Sequence, residues 1–189
     1  DQIQQALVAL AVNAVEAMSD GGELTVLWNQ GSFSFSMQSY GIPPGKSSVA
    51  VGRVTGIGPL DVAVVNATSN QVLVFHLVFS GSLALKGLAP VTLDNVHPLD
   101  VYVGDVDGNG ADDVLAGFGS TIGGFWQKLN LADWSQLNGN SPDDVVTADV
   151  TGNGEDDIVG DFGSTIGGLY IKRDQGPWVK QHNSSPDSM

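Results

Sequence analysis

The chain has 189 residues, with 21 acidic against 7 basic, a net charge of −14 and no cysteine. The acidic excess argues against binding to nucleic acid or to anionic membranes and suits divalent cations, although solubility alone would also account for it. The missing cysteine excludes disulfides, thiol catalysis and cysteine-rich zinc sites, and the longest apolar stretch, Ala6 to Val12, is too short to span a bilayer.

From Asp1 to Ser19, Ile3, Leu7, Leu10, Ala14 and Met18 recur at helical spacing. They predict an amphipathic helix that Gly21 and Gly22 end. Glu23 to Trp28 and Ser32 to Met37 then alternate and predict a hairpin around Asn29-Gln30-Gly31. The string DQIQQALVALAVNAVEAMSDGGELTV resembles the N-box region of sensor histidine kinases. That resemblance implies a helix lining an ATP pocket, with Asn13 helping to hold magnesium. Gly41-Ile42-Pro43-Pro44 resembles the next nucleotide motif of that family, but Met37 stands where its adenine-reading aspartate belongs and Ser39 replaces its first glycine. The chain has no glycine-rich lid and no helix with a phosphorylatable histidine beyond this point. Two readings of residues 1–45 result. One is an inactive piece of a kinase ATP-binding segment fused to a repeat region. The other, which the missing motifs favour, is a helix packed against the first strands.

Residues 46–189 form a repeat region. VYVGDVDGNGADDVLAGFGSTIGG, from Val101, recurs as VVTADVTGNGEDDIVGDFGSTIGG, from Val145. Asp105 maps 44 residues on to Asp149, Trp134 to Trp178, and the Ser141-Pro142-Asp143 turn to Ser185-Pro186-Asp187. Each unit reads as four short strands; in the later copy these are Val145 to Ala148, Ile158 to Phe162, Leu169 to Lys172 and Trp178 to Gln181. Turn residues bound every run. Four strands per 40 to 45 residues fits a propeller blade. A third copy, from Val49 to Phe75, keeps the strand pattern. Aligning Asp61 with Asp113 places Arg53, Thr55 and Ile57 where Asp105, Asp107 and Asn109 stand, so this copy is expected to hold no metal.

The loop Asp105 to Asp113 reads D-V-D-G-N-G-A-D-D, with oxygen side chains at positions 1, 3, 5 and 9. Calcium takes six to eight oxygen ligands, and a tight loop of alternating donors can point them inward. Gly108 and Gly110 permit the positive backbone angles of such a wrap. The Ala111 carbonyl, at position 7, could add a ligand. The spacing matches the start of an EF-hand loop but lacks its glutamate at position 12, where Ala116 stands, and leads into a strand. The other reading is a set of Asx turns held by side-chain to backbone hydrogen bonds, without metal.

Asp105-Val106-Asp107-Gly108-Asn109-Gly110, Asp113, Phe118-Gly119 and Gly123-Gly124 together resemble an FG-GAP or VCBS-type repeat, a family found in integrin-like propellers and bacterial surface proteins. The resemblance implies calcium in the first loop of each intact blade. Asp105, Asp107, Asn109 and Asp113 would be side-chain ligands, with Ala111 giving its carbonyl. In the next copy Asp149, Asn153 and Asp157 match, Glu155 would give its carbonyl, and Thr151 puts a hydroxyl where a carboxylate is usual.

Asp112 and Asp156 are spare acids, poorly placed for catalysis because adjacent strand residues point to opposite faces. His76, His97 and His182 form no metal-ligand spacing. Trp126, Trp134, Tyr170 and Trp178 recur with the repeat, as fillers between blades more than as sugar-stacking platforms. The expectation is a mainly β chain: an N-terminal helix and hairpin, then about three β-propeller-type blades of an incomplete propeller. It would be a non-catalytic calcium-binding module for adhesion or ligand binding, extracellular or at the cell surface. Its partners would be a protein or carbohydrate ligand, with further blades or an oligomer completing the propeller.

Overall fold

The computed structural model describes residues 22–31, 34–42, 47–57, 60–66, 70–77, 83–87, 98–119, 122–163 and 166–186. The expected helix at Asp1 to Ser19, including Asn13, lies outside these residues, as does His97. No helix among the described residues is long and apolar enough to cross a membrane. The chain is mainly β. Strands β1 (Gly22–Gly31) and β2 (Ser34–Ile42) pair antiparallel as a hairpin, but Asn29, Gln30 and Gly31, expected as its turn, belong to β1, where Asn29 pairs with Phe35 and Gly31 with Ser34. Both run longer than the sequence pattern suggested. Gly41 and Ile42, read as part of a nucleotide motif, are ladder residues opposite Glu23 and Gly22.

Three four-stranded antiparallel sheets come next, each a simple meander. The first contains β3 (Ser47–Gly52), β4 (Asp61–Asn66), β5 (Gln71–Leu77) and β6 (Leu83–Gly87). The second contains β7 (Pro98–Gly104), β8 (Asp113–Phe118), β9 (Gly124–Lys128) and β10 (Trp134–Asn138). The third contains β11 (Asp144–Ala148), β12 (Asp157–Asp161), β13 (Leu169–Lys172) and β14 (Trp178–His182). Val-rich and Ile-rich runs make these strands because β-branched side chains fit a pleated, packed surface. Their second strands are the most enclosed; every residue of β8 is buried.

The core lies between sheets. Val54, Ala63, Val65, Val72 and Val74 of the first sheet pack on Val101, Val114, Ala116 and Phe118 of the second. Val106, Leu115 and Phe125 of the second then pack on Val145 and Ile158 of the third. Trp178 bridges this second seam. Its ring stands edge-on to Phe162 at 5.3 Å and near Phe125 at 6.3 Å, and its Nε1 donates to the Leu137 carbonyl at 3.0 Å. The filler role read from the sequence thus holds for Trp178.

One register recurs in all three sheets. Gly52 stands opposite Asp61, Gly104 opposite Asp113 and Ala148 opposite Asp157. The ends of the three loops are thus held in the same register, which agrees with the sequence alignment of the three copies.

Candidate metal centre

Eight residues join Gly104 to Asp113, which face each other across the β7–β8 ladder. The loop must therefore double back on itself. Gly108 (φ 71°) and Gly110 (φ 87°) take the left-handed angles that make this possible. The Asp105 carboxylate gathers the turn. Its Oδ1 accepts from the Asn109 amide at 2.9 Å and its Oδ2 from the Gly110 amide at 2.7 Å. Asp107 Oδ1 takes a longer bond from Asn109 N, 3.3 Å, and Asn109 Oδ1 accepts from Ala111 N at 2.7 Å. Asp113 is fully buried, with Oδ2 on the Val106 amide at 3.2 Å and Oδ1 on the Asn130 amide at 2.8 Å.

Asp105, Asp107 and Asp113 each offer a carboxylate oxygen, and these oxygens lie within 4.8 Å of one another. Among the described residues no other group of three acids or histidines converges in this way. A carboxylate oxygen has two lone pairs, so bonds to main-chain amides leave capacity for a cation. Burial pushes the Asp113 carboxyl up to about 6; the amides of Asn130 and Val106 oppose this, and the negative charges of Asp107 and Asp105 add to it. The donors are hard oxygens only, which fits calcium or magnesium and not a soft metal.

The second loop, 149 to 157, repeats the wrap with Gly152 (φ 78°) and Gly154 (φ 92°). Asp149 accepts from the amides of Gly152 at 2.6 Å, Asn153 at 3.0 Å and Gly154 at 2.9 Å. These bonds, led by that of Gly154, hold its carboxyl below the usual carboxylate range. Asn153 Oδ1 accepts from Glu155 N at 2.9 Å, as Asn109 does for Ala111. Asp157 is buried and accepts from the amides of Val150, Thr151 and Asp174. With Thr151 in place of a third carboxylate, this loop does not form the tight acidic cluster of the first.

Two residues of the site escape a reading confined to the loop. Asn130, at φ 51°, lies on the short turn Leu129–Leu131 after β9. Its Nδ2 donates to Asp107 Oδ2 at 2.6 Å, and its Oδ1 accepts from Asn109 Nδ2 at 2.5 Å. Asp174, at φ 49°, fills the same place 44 residues on and accepts from Asn153 Nδ2 at 2.8 Å. A polar residue at the same repeat position in both copies was the available signal.

Asp112 and Asp156 join sheets. Asp112 Oδ2 accepts from the Arg53 amide at 2.5 Å, and Asp112 N donates to the Arg53 carbonyl at 3.2 Å. Asp156 does the same to Asp105, at 3.0 and 2.7 Å. In the first sheet the equivalent of Asp113 is Asp61, also buried. Its Oδ1 lies 2.7 Å from His76 Nδ1, and its Oδ2 accepts from the Thr55 amide at 2.6 Å. Arg53 and Ile57 offer no ligand there, and a histidine faces the carboxylate that a cation could otherwise meet.

Comparison with protein-family models, with curated proteins and with solved structures gives no match.

Proposed function

We propose that the chain is a calcium-binding, non-catalytic module of β-propeller-type repeats that binds a protein or carbohydrate ligand outside the cell. The observation that supports this reading is the convergence of Asp105, Asp107 and Asp113. Three carboxylates drawn together, one of them fully buried, repel one another until a cation joins them. Calcium would take those oxygens together with Asn109, the Ala111 carbonyl and water. A second ion would sit on Asp149, Thr151, Asn153, Asp157 and the Glu155 carbonyl. Loops of this kind suit extracellular calcium, where modules bind with Kd of roughly 10⁻⁴ to 10⁻³ M. The metal's part is to fix the loops that carry the exposed rim, on which a ligand is recognised.

Calcium that binds only the folded chain stabilises it by mass action, about 2.7 kcal/mol at a hundredfold excess over Kd. For a domain of this size that is a rise in melting temperature of roughly 5 to 10 °C. Thermal melts in chelator and in excess calcium measure it, and Asp105→Ala should remove most of the rise. Identical melts in the two conditions would refute the calcium reading.

A further inference from the structure

The two candidate loops touch each other, and the residues that touch belong to the loops themselves. Asp156 holds both main-chain groups of Asp105, the first residue of the preceding loop. Glu155 lies over Gly108 so closely that a Cβ there would come within 2.5 Å of Glu155 Cγ. Gln175, on the turn beside Asp174, donates from Nε2 to the Val106 carbonyl at 2.7 Å. Positions 1, 2 and 4 of the first loop are therefore gripped by the third sheet. Glu155 and Asp156 stand inside the second loop, at positions 7 and 8, between Asn153 and Asp157.

We propose that the two loops bind calcium cooperatively, with Asp156 as the positioning residue that couples them. The proposal rests on reading both loops as calcium sites. A cation in the first loop fixes Asp105, and Asp105 fixes the main chain and carboxylate of Asp156. The ligand residues of the second loop then have less freedom to lose when their own ion arrives. Coupling between binding free energies is reciprocal, so the second ion tightens the first by the same factor. Repulsion between two cations opposes this, and the carboxylate of Asp156, which is not in the ligand set, lies between the loops and reduces it. The same clamp links Asp112 to Arg53, but the first-sheet loop lacks ligands, so coupling ends at the second sheet.

The test is a calcium titration of the full chain, monitored by NMR at the Gly108 and Gly152 amides. Asp107→Ala weakens the first site without touching the clamp. It should raise the calcium midpoint at Gly152 by about fivefold or more. Asp156→Ala should raise the Gly152 midpoint similarly with both ligand sets intact, and adding Asp107→Ala should then change little. Asp156→Asn keeps an oxygen for the Asp105 amide and should retain most of the coupling. A Gly152 midpoint that is the same in wild type and Asp107→Ala overturns the proposal while leaving the calcium reading in place. No response at either glycine overturns both. Should Asp156→Ala fail to fold, the Asp107→Ala comparison still decides.

Discussion

Asp113 combines full burial with a place in the proposed metal site. Its carboxyl is pushed up to about 6 from an ordinary value of 3.8, burial being the largest cause. Between those values the folded chain holds a proton that the unfolded chain has released, so metal-free stability falls as pH rises through about 4 to 6. Protons and calcium compete for the same oxygens, so calcium affinity falls as pH drops below about 6. Melts in chelator from pH 4 to 7 should show the first effect, and Asp113→Asn should flatten it; an unchanged slope in that variant would remove Asp113 from the explanation. The neighbouring loop offers a second comparison at this scale. Among the proposed side-chain ligands, the first loop has three carboxylates, Asp105, Asp107 and Asp113, whereas Thr151 leaves the second with two, Asp149 and Asp157. The glycine angles match between loops, so ligand charge should decide affinity. The first site should fill at lower calcium, and Thr151→Asp should narrow the gap; simultaneous filling in both proteins would count against charge as the cause. The convergence of Asp105, Asp107 and Asp113 was legible in the sequence because they stand at positions 1, 3 and 9 of one short glycine-containing loop. Asn130 and Asp174 were not, because a turn 17 residues beyond Asp113 or Asp157 reaches the loop only through the β8–β9 and β12–β13 pairings.

The strands of the third sheet were legible for a related reason: they are short runs with β-branched or aromatic residues, set off by glycine, asparagine or aspartate, whereas β6, with neither residue type, lies beyond the Val49 to Phe75 copy. Leu169 to Lys172 matches β13 end to end, and the other three strands of that repeat differ by a residue at their ends. Joints between sheets were hidden, because no local pattern marks a residue that bonds across a seam. Asp112 and Asp156, read as spare acids, are those joints. Asp156→Ala would leave the Asp105 amide without its acceptor at a partly buried place, a cost of about 1 to 3 kcal/mol. Gly104 belongs to the same joint. A Cβ there would meet Thr147 Oγ1 at 2.6 Å and Asp156 Oδ2 at 2.9 Å. Gly104→Ala should therefore cost about 1 to 3 kcal/mol, as overpacking does. Urea denaturation of the two single variants and the double variant tests this. Because both act at one contact, the double variant should lose less than the two single losses combined.

Across the whole molecule, each sheet leans on the next. The valine after the first loop residue shows the trend: Val54 is 2 % exposed, Val106 0 % and Val150 59 %. The third sheet covers Val106, whereas Val146, Val150 and Val179 of the third sheet are exposed. A stack of repeats in which each unit touches only its neighbours is stabilised by the sum of its seams, and a unit with fewer seams opens first. The third sheet has one seam among the described residues, through Val145, Ile158 and Trp178. The second sheet has two, and its β8 is buried throughout. Amide hydrogen exchange under native conditions should therefore show β14 and β11 opening at lower free energy than β8. Calcium should narrow the difference, because ions held at Asp149 and Asp157 fix the start of β12, while clamping through Asp156 ties that sheet to the second. The chelated protein should then show the widest spread of opening energies. Equal exchange free energies for β8, β11 and β14, with and without calcium, would mean that the sheets unfold as one cooperative unit and that the seams do not set a hierarchy.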